Sequence, residues 1–128
     1  LLSRPFSISG KVVKDKQNGL KLGVRTANIY SDSIIPKKGV YISKTKINNK
    51  SYKSITNIGI HPSIDANKEI VIETHILDFD NDIYNEIIEI EFLKRLRSEI
   101  KFKSKEELVN TIKHDIWVAK NYFEDKNL

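Results

Sequence analysis

Residues 69–78, EIVIETHILD, and residues 86–96, EIIEIEFLKRL, decide the fold of this 128-residue chain. In both segments, apolar residues recur at every second position. This period of two is typical of strands that bury one face, because successive side chains point to opposite sides of a sheet. The predicted buried face of the first segment comprises Ile70, Ile72, Thr74 and Ile76. Glu73 is predicted to lie on the opposite face.

Earlier parts of the chain contain further extended segments separated by turn residues. These segments comprise residues 6–13, 26–30, 40–47 and 52–58. The intervening Asn48, Asn49 and Lys50 predict a hairpin between the last two segments. His61 and Pro62 are assigned to a loop that follows the hairpin.

The end of the chain changes from a period of two to a helical period. Ser104 and Glu107 have the S-x-x-E spacing of a capping box, which marks a helix start. Apolar residues then recur every three or four positions, at Leu108, Ile112, Ile116, Ala119 and Phe123. The pattern predicts an amphipathic helix of roughly five turns. About five or six antiparallel strands with a terminal helix favour a small closed barrel, because closure removes exposed strand edges.

The composition indicates one domain over residues 1–128, with 39% hydrophobic residues to form a core. There is no apolar run of about 18 residues, so no transmembrane helix or membrane partner is expected. The absence of cysteine suits a reducing compartment, and we expect a cytoplasmic protein. The net charge of +5 comes from scattered lysines, which favour solubility over nucleic-acid binding.

An ordered series of short motifs spans the chain. The motifs are RPFSISGKVV at 4–13, GVRTAN at 23–28, PKKGVY at 36–41, NIGIHPS at 57–63, ETHILD at 73–78 followed by DIY at 82–84, and RSEIKF at 97–102. In this order and with these gaps, they resemble the riboflavin kinase family. In bacteria, that domain commonly forms the C-terminal half of a bifunctional FAD synthetase, after an FMN adenylyltransferase domain. The resemblance implies such a linked domain here.

The resemblance implies a six-stranded antiparallel Greek-key β-barrel with a C-terminal α-helix packed on it. It also implies transfer of the ATP γ-phosphoryl group to the 5′-hydroxyl of riboflavin, which yields FMN and ADP. Thr26 and Asn28 are expected to hold Mg²⁺ through oxygen atoms, which this cation prefers. Glu73 is expected to be the general base that accepts the hydroxyl proton.

Substrate-binding residues also follow from the resemblance. Those implied for ATP are Gly19, Lys21, Gly23, Thr26 and Asn28. Those implied for the flavin are Glu73, Tyr84 and Arg97. Two of these flavin assignments have structural alternatives. Arg97 is equally consistent with a surface arginine beside the helix. Tyr84 is equally consistent with an aromatic residue packed in the barrel.

The sequence departs from the family pattern mainly in the expected phosphate loop. Asp15 stands where glycine is usual, Leu20 where arginine is usual, and Arg25 where proline is usual. An added acid and a lost base near a triphosphate should weaken ATP binding. Asn85 replaces a glycine after Tyr84, and asparagine tolerates positive φ better than most residues.

Two functions of other classes remain as alternatives. One is a flavin- or nucleotide-binding barrel with weak or no catalysis, an alternative suggested by Asp15 and Arg25. The other is a small basic barrel that binds single-stranded nucleic acid by stacking bases on aromatic side chains. The aromatic residues are spread over turns, strands and helix, which disfavours the second alternative.

Overall fold

The computed structural model describes residues 6–13, 27–30, 37–62, 68–79, 83–100 and 102–126. These residues form six strands and one helix. The elements are β1 (Phe6–Val13), β2 (Ala27–Tyr30), β3 (Gly39–Ile47), β4 (Lys50–Pro62), β5 (Lys68–Ile76), β6 (Ile87–Arg97) and α1 (Lys105–Asp125).

The six strands belong to one antiparallel sheet. Their order is β1-β2-β5-β4-β3-β6, and β6 also pairs with β1, which closes the sheet into a barrel. Closure gives every described strand a hydrogen-bonding neighbour on each side, so no strand presents an unpaired edge. The predicted mainly β, antiparallel fold with a C-terminal helix is confirmed.

The β3–β4 hairpin turns through two asparagines with positive φ. The φ angles are 50° at Asn48 and 69° at Asn49, and Ile47 pairs with Lys50 across the turn. Positive φ at both central residues matches the right-handed twist of the flanking strands. The predicted hairpin is therefore confirmed.

The predicted loop at His61 and Pro62 is wrong. Both residues continue β4, where His61 pairs with Glu69 and Pro62 pairs with Lys68 of β5. Proline lacks the N–H group that a strand interior uses, and here it is the last residue of the strand. A proline at the end of a strand is compatible with pairing to the neighbouring strand. The local sequence did not indicate that β4 extends this far.

Apolar side chains, mostly isoleucine, fill the inside of the barrel. They are Ile8, Val12, Ile29, Tyr41, Ile47, Ile58, Ile72, Ile76, Ile83, Ile88, Ile90 and Phe92. The predicted burial of Ile72 and Ile76 is confirmed. The predicted burial of Ile70 is wrong, because this side chain lies near the start of β5 and is 53% exposed.

A chain of hydroxyl groups crosses the barrel interior between β3, β4 and β5. Thr45 donates to Ser54 at 2.8 Å, Ser54 and Ser43 lie 2.7 Å apart, and Ser43 and Thr56 lie 2.8 Å apart. Thr56 and Thr74 complete the chain at 3.1 Å. All five side chains are buried. Hydroxyls that bond one another avoid the cost of unsatisfied polar groups in a closed interior.

The helix covers one side of the barrel. Its buried Ala119 and Phe123 pack against an apolar patch on the outer face of the sheet, formed by Val40, Ile42, Ile55 and Leu77. The helix begins after Ser104, whose side chain accepts a hydrogen bond from the Glu107 backbone at 3.1 Å. The predicted helix and its N-cap at Ser104 are confirmed. Within the described ranges, no helix is both long and apolar enough to span a membrane.

A two-point ion pair fixes the helix to the end of β6. Arg97 donates from Nε to Oδ1 of Asp115 at 3.2 Å and from Nη2 to Oδ2 at 2.8 Å. Asp115 lies in the middle of α1 and is only 5% exposed. Paired, planar hydrogen bonds of this kind are the strong form of the arginine–carboxylate interaction.

Replacement of Thr56 by valine should lower the free energy of unfolding. The change keeps the side-chain shape but removes the bonds to Ser43 and Thr74, and we expect a loss of about 1–3 kcal/mol. Urea unfolding measures the loss. Thr45→Val removes only one bond at the end of the chain and should cost less. Equal losses of stability in the two variants would contradict the prediction that Thr56, which bonds two hydroxyl groups, contributes more than Thr45.

Replacement of Asp115 by alanine should loosen the helix by leaving Arg97 without its carboxylate. We expect a loss of about 2 kcal/mol, below the range for fully buried pairs because Arg97 is partly exposed. Lys120→Met is the matched control, since the Lys120–Asp78 pair is exposed and should contribute less than about 1 kcal/mol. A double-mutant cycle with Arg97→Met and Asp115→Leu should show coupling. Additive losses would contradict the anchoring role.

Candidate active site

Glu73 lies in the middle of β5 on the outer face of the barrel and is half-buried. Its chain neighbours Ile72 and Thr74 are buried in the interior. Val71 and His75 alternate with them and share the outer face with Glu73. The predicted separation of Glu73 from the buried face is confirmed. The carboxylate is therefore held by a rigid strand and faces away from the apolar core.

Strand register places an asparagine on each side of Glu73. Asn28 of β2 is the register partner of Glu73 on one side, and Asn57 of β4 is its partner on the other. Directly opposed residues of antiparallel strands belong to the same face, with Cα atoms about 4.5–5.5 Å apart. The three positions form a row across β2, β5 and β4, which we call the Asn–Glu–Asn row. The structure thus brings the predicted residues Asn28 and Glu73 together.

Asn57 was not among the predicted site residues. Its Oδ1 atom is enclosed by protein and accepts no hydrogen bond from any part of the chain that the structure describes. Buried polar atoms without a partner are rare in folded proteins, and each requires an explanation. The NIG motif at 57–59 was the available sequence signal, but it did not indicate a role for the asparagine.

Gly59 leaves room for a second carboxylate on the outer face. A Cβ atom placed on Gly59 would lie 1.9 Å from Oε2 of Glu99, so the carboxylate of Glu99 rests directly over this strand. Gly59 is two residues beyond Asn57 and therefore on the same face. Sequence reasoning assigned no role to Glu99, although it lies in the RSEIKF motif. Only the tertiary structure places its acid group over β4.

Arg97 lies at the end of the same cross-strand line as Asn57. Val40 pairs with Asn57 on one side and with Arg97 on the other. The guanidinium group of Arg97 bonds Asp115, as described above, and donates from Nη1 to the carbonyl of Ser98 at 3.0 Å. These bonds fit the alternative of an arginine beside the helix. The predicted contact of Arg97 with flavin stays a prediction.

Tyr84 belongs to the turn before β6. Its side chain is 38% exposed, whereas the preceding Ile83 packs into the barrel. Asn85 has a φ of 68°, a conformation that asparagine tolerates better than most residues. The Asn85 backbone donates to the carbonyl of Val12 at 3.0 Å, which ties this turn to β1. The predicted contact of Tyr84 with flavin stays a prediction.

The predicted phosphate loop lies outside the described residues. This holds for the predicted ATP and Mg²⁺ ligands Gly19, Lys21, Gly23 and Thr26, and for the departures Asp15, Leu20 and Arg25. Asn28 is described through its backbone in β2. The roles assigned to these residues stay predictions.

The geometry of the outer face is suited to proton transfer with an oxygen-rich substrate. Glu73 supplies a carboxylate that can accept a proton, and Asn57 supplies an amide that can both donate and accept hydrogen bonds. The barrel interior holds β5 and β4 in place from behind. A preorganised carboxylate of this kind is suited to general base catalysis.

The chain matches known proteins over nearly its whole length. The family model described as "Flavokinase: Riboflavin kinase" matches residues 2–123. A relative named bifunctional riboflavin kinase/FMN adenylyltransferase, from Buchnera aphidicola subsp. Schizaphis graminum, is 43% identical over 126 residues. That alignment covers 96% of this chain and 40% of the relative. The chain therefore spans about 40% of the length of this curated relative.

Solved structures show the same fold. The crystal structure of riboflavin kinase from Trypanosoma brucei has a TM-score of 0.67 and 25% identity, covering 98% of this chain and 83% of that one. A structure titled macrolide-efflux protein, from Streptococcus pneumoniae, has a TM-score of 0.85 and 32% identity. It covers 91% of this chain but only 39% of the other, so its title describes a much longer protein. By the match of the family model over residues 2–123, the chain belongs to the riboflavin kinase family.

Proposed function

We propose that this chain transfers the γ-phosphoryl group of ATP to the 5′-hydroxyl of riboflavin, with FMN and ADP as products. Family membership supports the reaction, and so does the name of the Trypanosoma brucei structure. The observation that carries the proposal is the register of Asn28 with Glu73. It sets an oxygen-donor residue of the predicted phosphate-binding region beside a carboxylate that can act as a base.

Glu73 is the proposed general base. As the 5′-oxygen of riboflavin forms its bond to the γ-phosphorus, its hydroxyl proton passes to the Glu73 carboxylate. The bond between the γ-phosphorus and the bridging oxygen breaks, and ADP leaves with that oxygen. Such a reaction requires positioning and charge neutralisation rather than a covalent enzyme intermediate. Placement on a strand, with the barrel core behind it, supports a fixed position for Glu73.

The residues of this region fit Mg²⁺ by the chemistry of their donor atoms. Thr26 and Asn28 would hold the cation through a hydroxyl and an amide oxygen, which are hard ligands. Mg²⁺ is usually bound by few protein ligands together with substrate phosphates, and when bound it neutralises developing phosphate charge. In the ranges described, no group of three or more His, Cys, Asp or Glu side chains could hold a metal by itself. Ligation through Thr26 and Asn28 requires no such group.

ATP is proposed to bind the loop that precedes β2. Gly19, Lys21 and Gly23 would contact its phosphates, largely through backbone amides. These residues precede β2 in the sequence, and the register of β2 sets Asn28 beside Glu73. ATP bound there would approach the carboxylate from the β2 side. Riboflavin would then approach from the β4 side, with Tyr84 and Arg97 as the further proposed flavin contacts.

The strand order supports the Greek-key form of the barrel expected for the family. β3, β4 and β5 follow one another in the sequence and lie side by side in the sheet. β6 then returns to pair with the free side of β3. That arrangement of four strands defines a Greek key. The same order leaves β5 free to pair with β2, which assembles the Asn–Glu–Asn row.

We also propose that residues 1–128 act as the kinase domain of a longer bifunctional protein. Two relatives, from Buchnera aphidicola and Bacillus subtilis, are named bifunctional riboflavin kinase/FMN adenylyltransferase and are matched over 40% of their length. A covalently linked FMN adenylyltransferase domain would use FMN made at this site. Neither nucleic acid nor a membrane is a proposed partner.

Replacement of Glu73 by glutamine should nearly abolish FMN formation. The amide keeps the side-chain shape but cannot accept a proton, and we expect kcat to fall about 10²- to 10⁴-fold. Incubation with riboflavin, ATP and Mg²⁺, followed by chromatography for FMN, measures the change. Glu89→Gln is the matched control, since it removes an exposed charge from β6 and should leave the rate unchanged. Full activity of Glu73→Gln would remove Glu73 as the base, and no FMN from the wild-type chain would refute the proposed function.

Replacement of Asn28 by alanine should raise the Mg²⁺ concentration required for half-maximal activity. The variant lacks one proposed oxygen ligand, so we expect weaker metal use that excess Mg²⁺ restores in part. Titration of the FMN-forming rate with Mg²⁺, at saturating riboflavin, measures the shift. An unchanged Mg²⁺ requirement, with any loss confined to the maximal rate, would exclude Asn28 as a metal ligand.

A further inference from the structure

The unpartnered oxygen of Asn57 requires a hydrogen-bond donor, and its register partners cannot supply one. Its register partners are Glu73 and Val40. A carboxylate accepts hydrogen bonds but does not donate them, and the side chain of Val40 has no polar atom. The carboxylate of Glu99, which rests over Gly59 on the same face, is also only an acceptor. None of these three groups can donate a hydrogen bond to Oδ1.

The nearest described cation on this cross-strand line forms hydrogen bonds with other groups. Arg97 lies two register steps from Asn57, through Val40, but its guanidinium group bonds Asp115 and Ser98. The neighbours of Asn57 along β4, Thr56 and Ile58, are buried in the interior on the opposite face. The hydroxyl of Thr56 bonds there to Ser43 and Thr74.

Fold stability does not account for an asparagine at this position. An enclosed carbonyl oxygen without a donor lowers stability, whereas an apolar group of the same shape avoids that loss. Leucine has nearly the shape of asparagine and suits a strand that packs beside Val40. A residue that weakens the fold where an apolar one would serve points to a role in binding.

We propose that Asn57 binds and orients the polyol chain of the substrate. Its Oδ1 accepts a hydrogen bond from a ribityl hydroxyl next to the reactive 5′-hydroxyl, and its Nδ2 donates to the carboxylate of Glu73. The two bonds align the reactive hydroxyl with the base that receives its proton. This inference rests on the proposed riboflavin kinase function and adds a contact that selects for a hydroxylated chain.

Asn57→Leu tests the proposal, because it separates binding from stability. The variant should retain or exceed the melting temperature of the wild type, while kcat/KM for riboflavin falls about 10- to 100-fold, the range for one hydrogen bond to a buried acceptor. The KM for ATP should stay unchanged. Ser51→Leu is the matched control, since it lies on the same face of β4 and is exposed. Ser51 lies six positions before Asn57, about 20 Å away along the strand.

Asn57→Asp tests the two halves of the side chain separately. It keeps an acceptor oxygen but replaces the donor beside Glu73 with a second negative charge. Like charges disfavour ionisation, so the acidic limb of the pH–kcat profile should shift to higher pH. The other charged or titratable groups near this face are His75, Glu99 and the Arg97–Asp115 pair, and none is altered. Ser51→Asp adds the same charge beyond the screening length and should leave the profile unchanged.

The outcomes separate this inference from the proposed function. If the wild type forms FMN and Asn57→Leu forms it with the same kcat/KM for riboflavin, the inference is overturned and the kinase function stands. A marked loss of melting temperature in Asn57→Leu would also overturn it, because the asparagine would then be structural. If the wild type forms no FMN, both proposals fail. A stable Asn57→Leu variant with a selective loss toward riboflavin supports the inference.

Discussion

Closure of the sheet by the pairing of β6 with β1 is the constraint on which the rest of the structure depends. Once the strands form a ring, each has an inside and an outside, and alternation along the chain sorts side chains between them. The inside of a small barrel is filled by its own side chains. In this chain that filling is mostly isoleucine, with a layer of hydroxyl groups from β3, β4 and β5. The outer face carries the helix and the candidate site.

The outer face is divided between these two uses. One part is apolar and is covered by Ala119 and Phe123 of α1. The other part carries the Asn–Glu–Asn row, which meets the helix-covered part at Val40, the register partner of Asn57. Arg97 joins the two parts, because it pairs with Val40 through the backbone and with Asp115 of α1 through its side chain. The position of the helix and the position of the site are therefore linked by one strand end.

The candidate site brings charged and polar groups together on one outer face of the barrel. Glu73 and Glu99 bring two acids to this face, and the enclosed Oδ1 atom of Asn57 lacks a donor in the described part of the chain. Such groups are tolerated because the barrel core and the helix interface stabilise the strands that carry them. Functional groups on strands are also held more precisely than groups on loops. The proposed proton transfer depends on such precise positioning.

The amino-acid sequence by itself determined the strands, the hairpin, the capped helix and the family. Alternation of apolar residues in 69–78 and 86–96 separated Glu73 from the core, and the S-x-x-E motif located the helix start at Ser104. These features follow from neighbours within a few residues, so local patterns reveal them. The same reasoning failed at Ile70 and at Pro62, where exposure and strand length depend on the partner strand.

Only the tertiary structure decided which distant residues meet. Alternation is satisfied by many strand pairings, so no local pattern indicates that Asn28 and Asn57 both oppose Glu73. The Arg97–Asp115 pair depends on where α1 packs on the barrel. The position of the Glu99 carboxylate depends on the space that Gly59 leaves on the outer face. The chemical character of each residue can be read from the sequence. Contacts between distant residues depend on strand register and on helix packing, which long-range interactions determine.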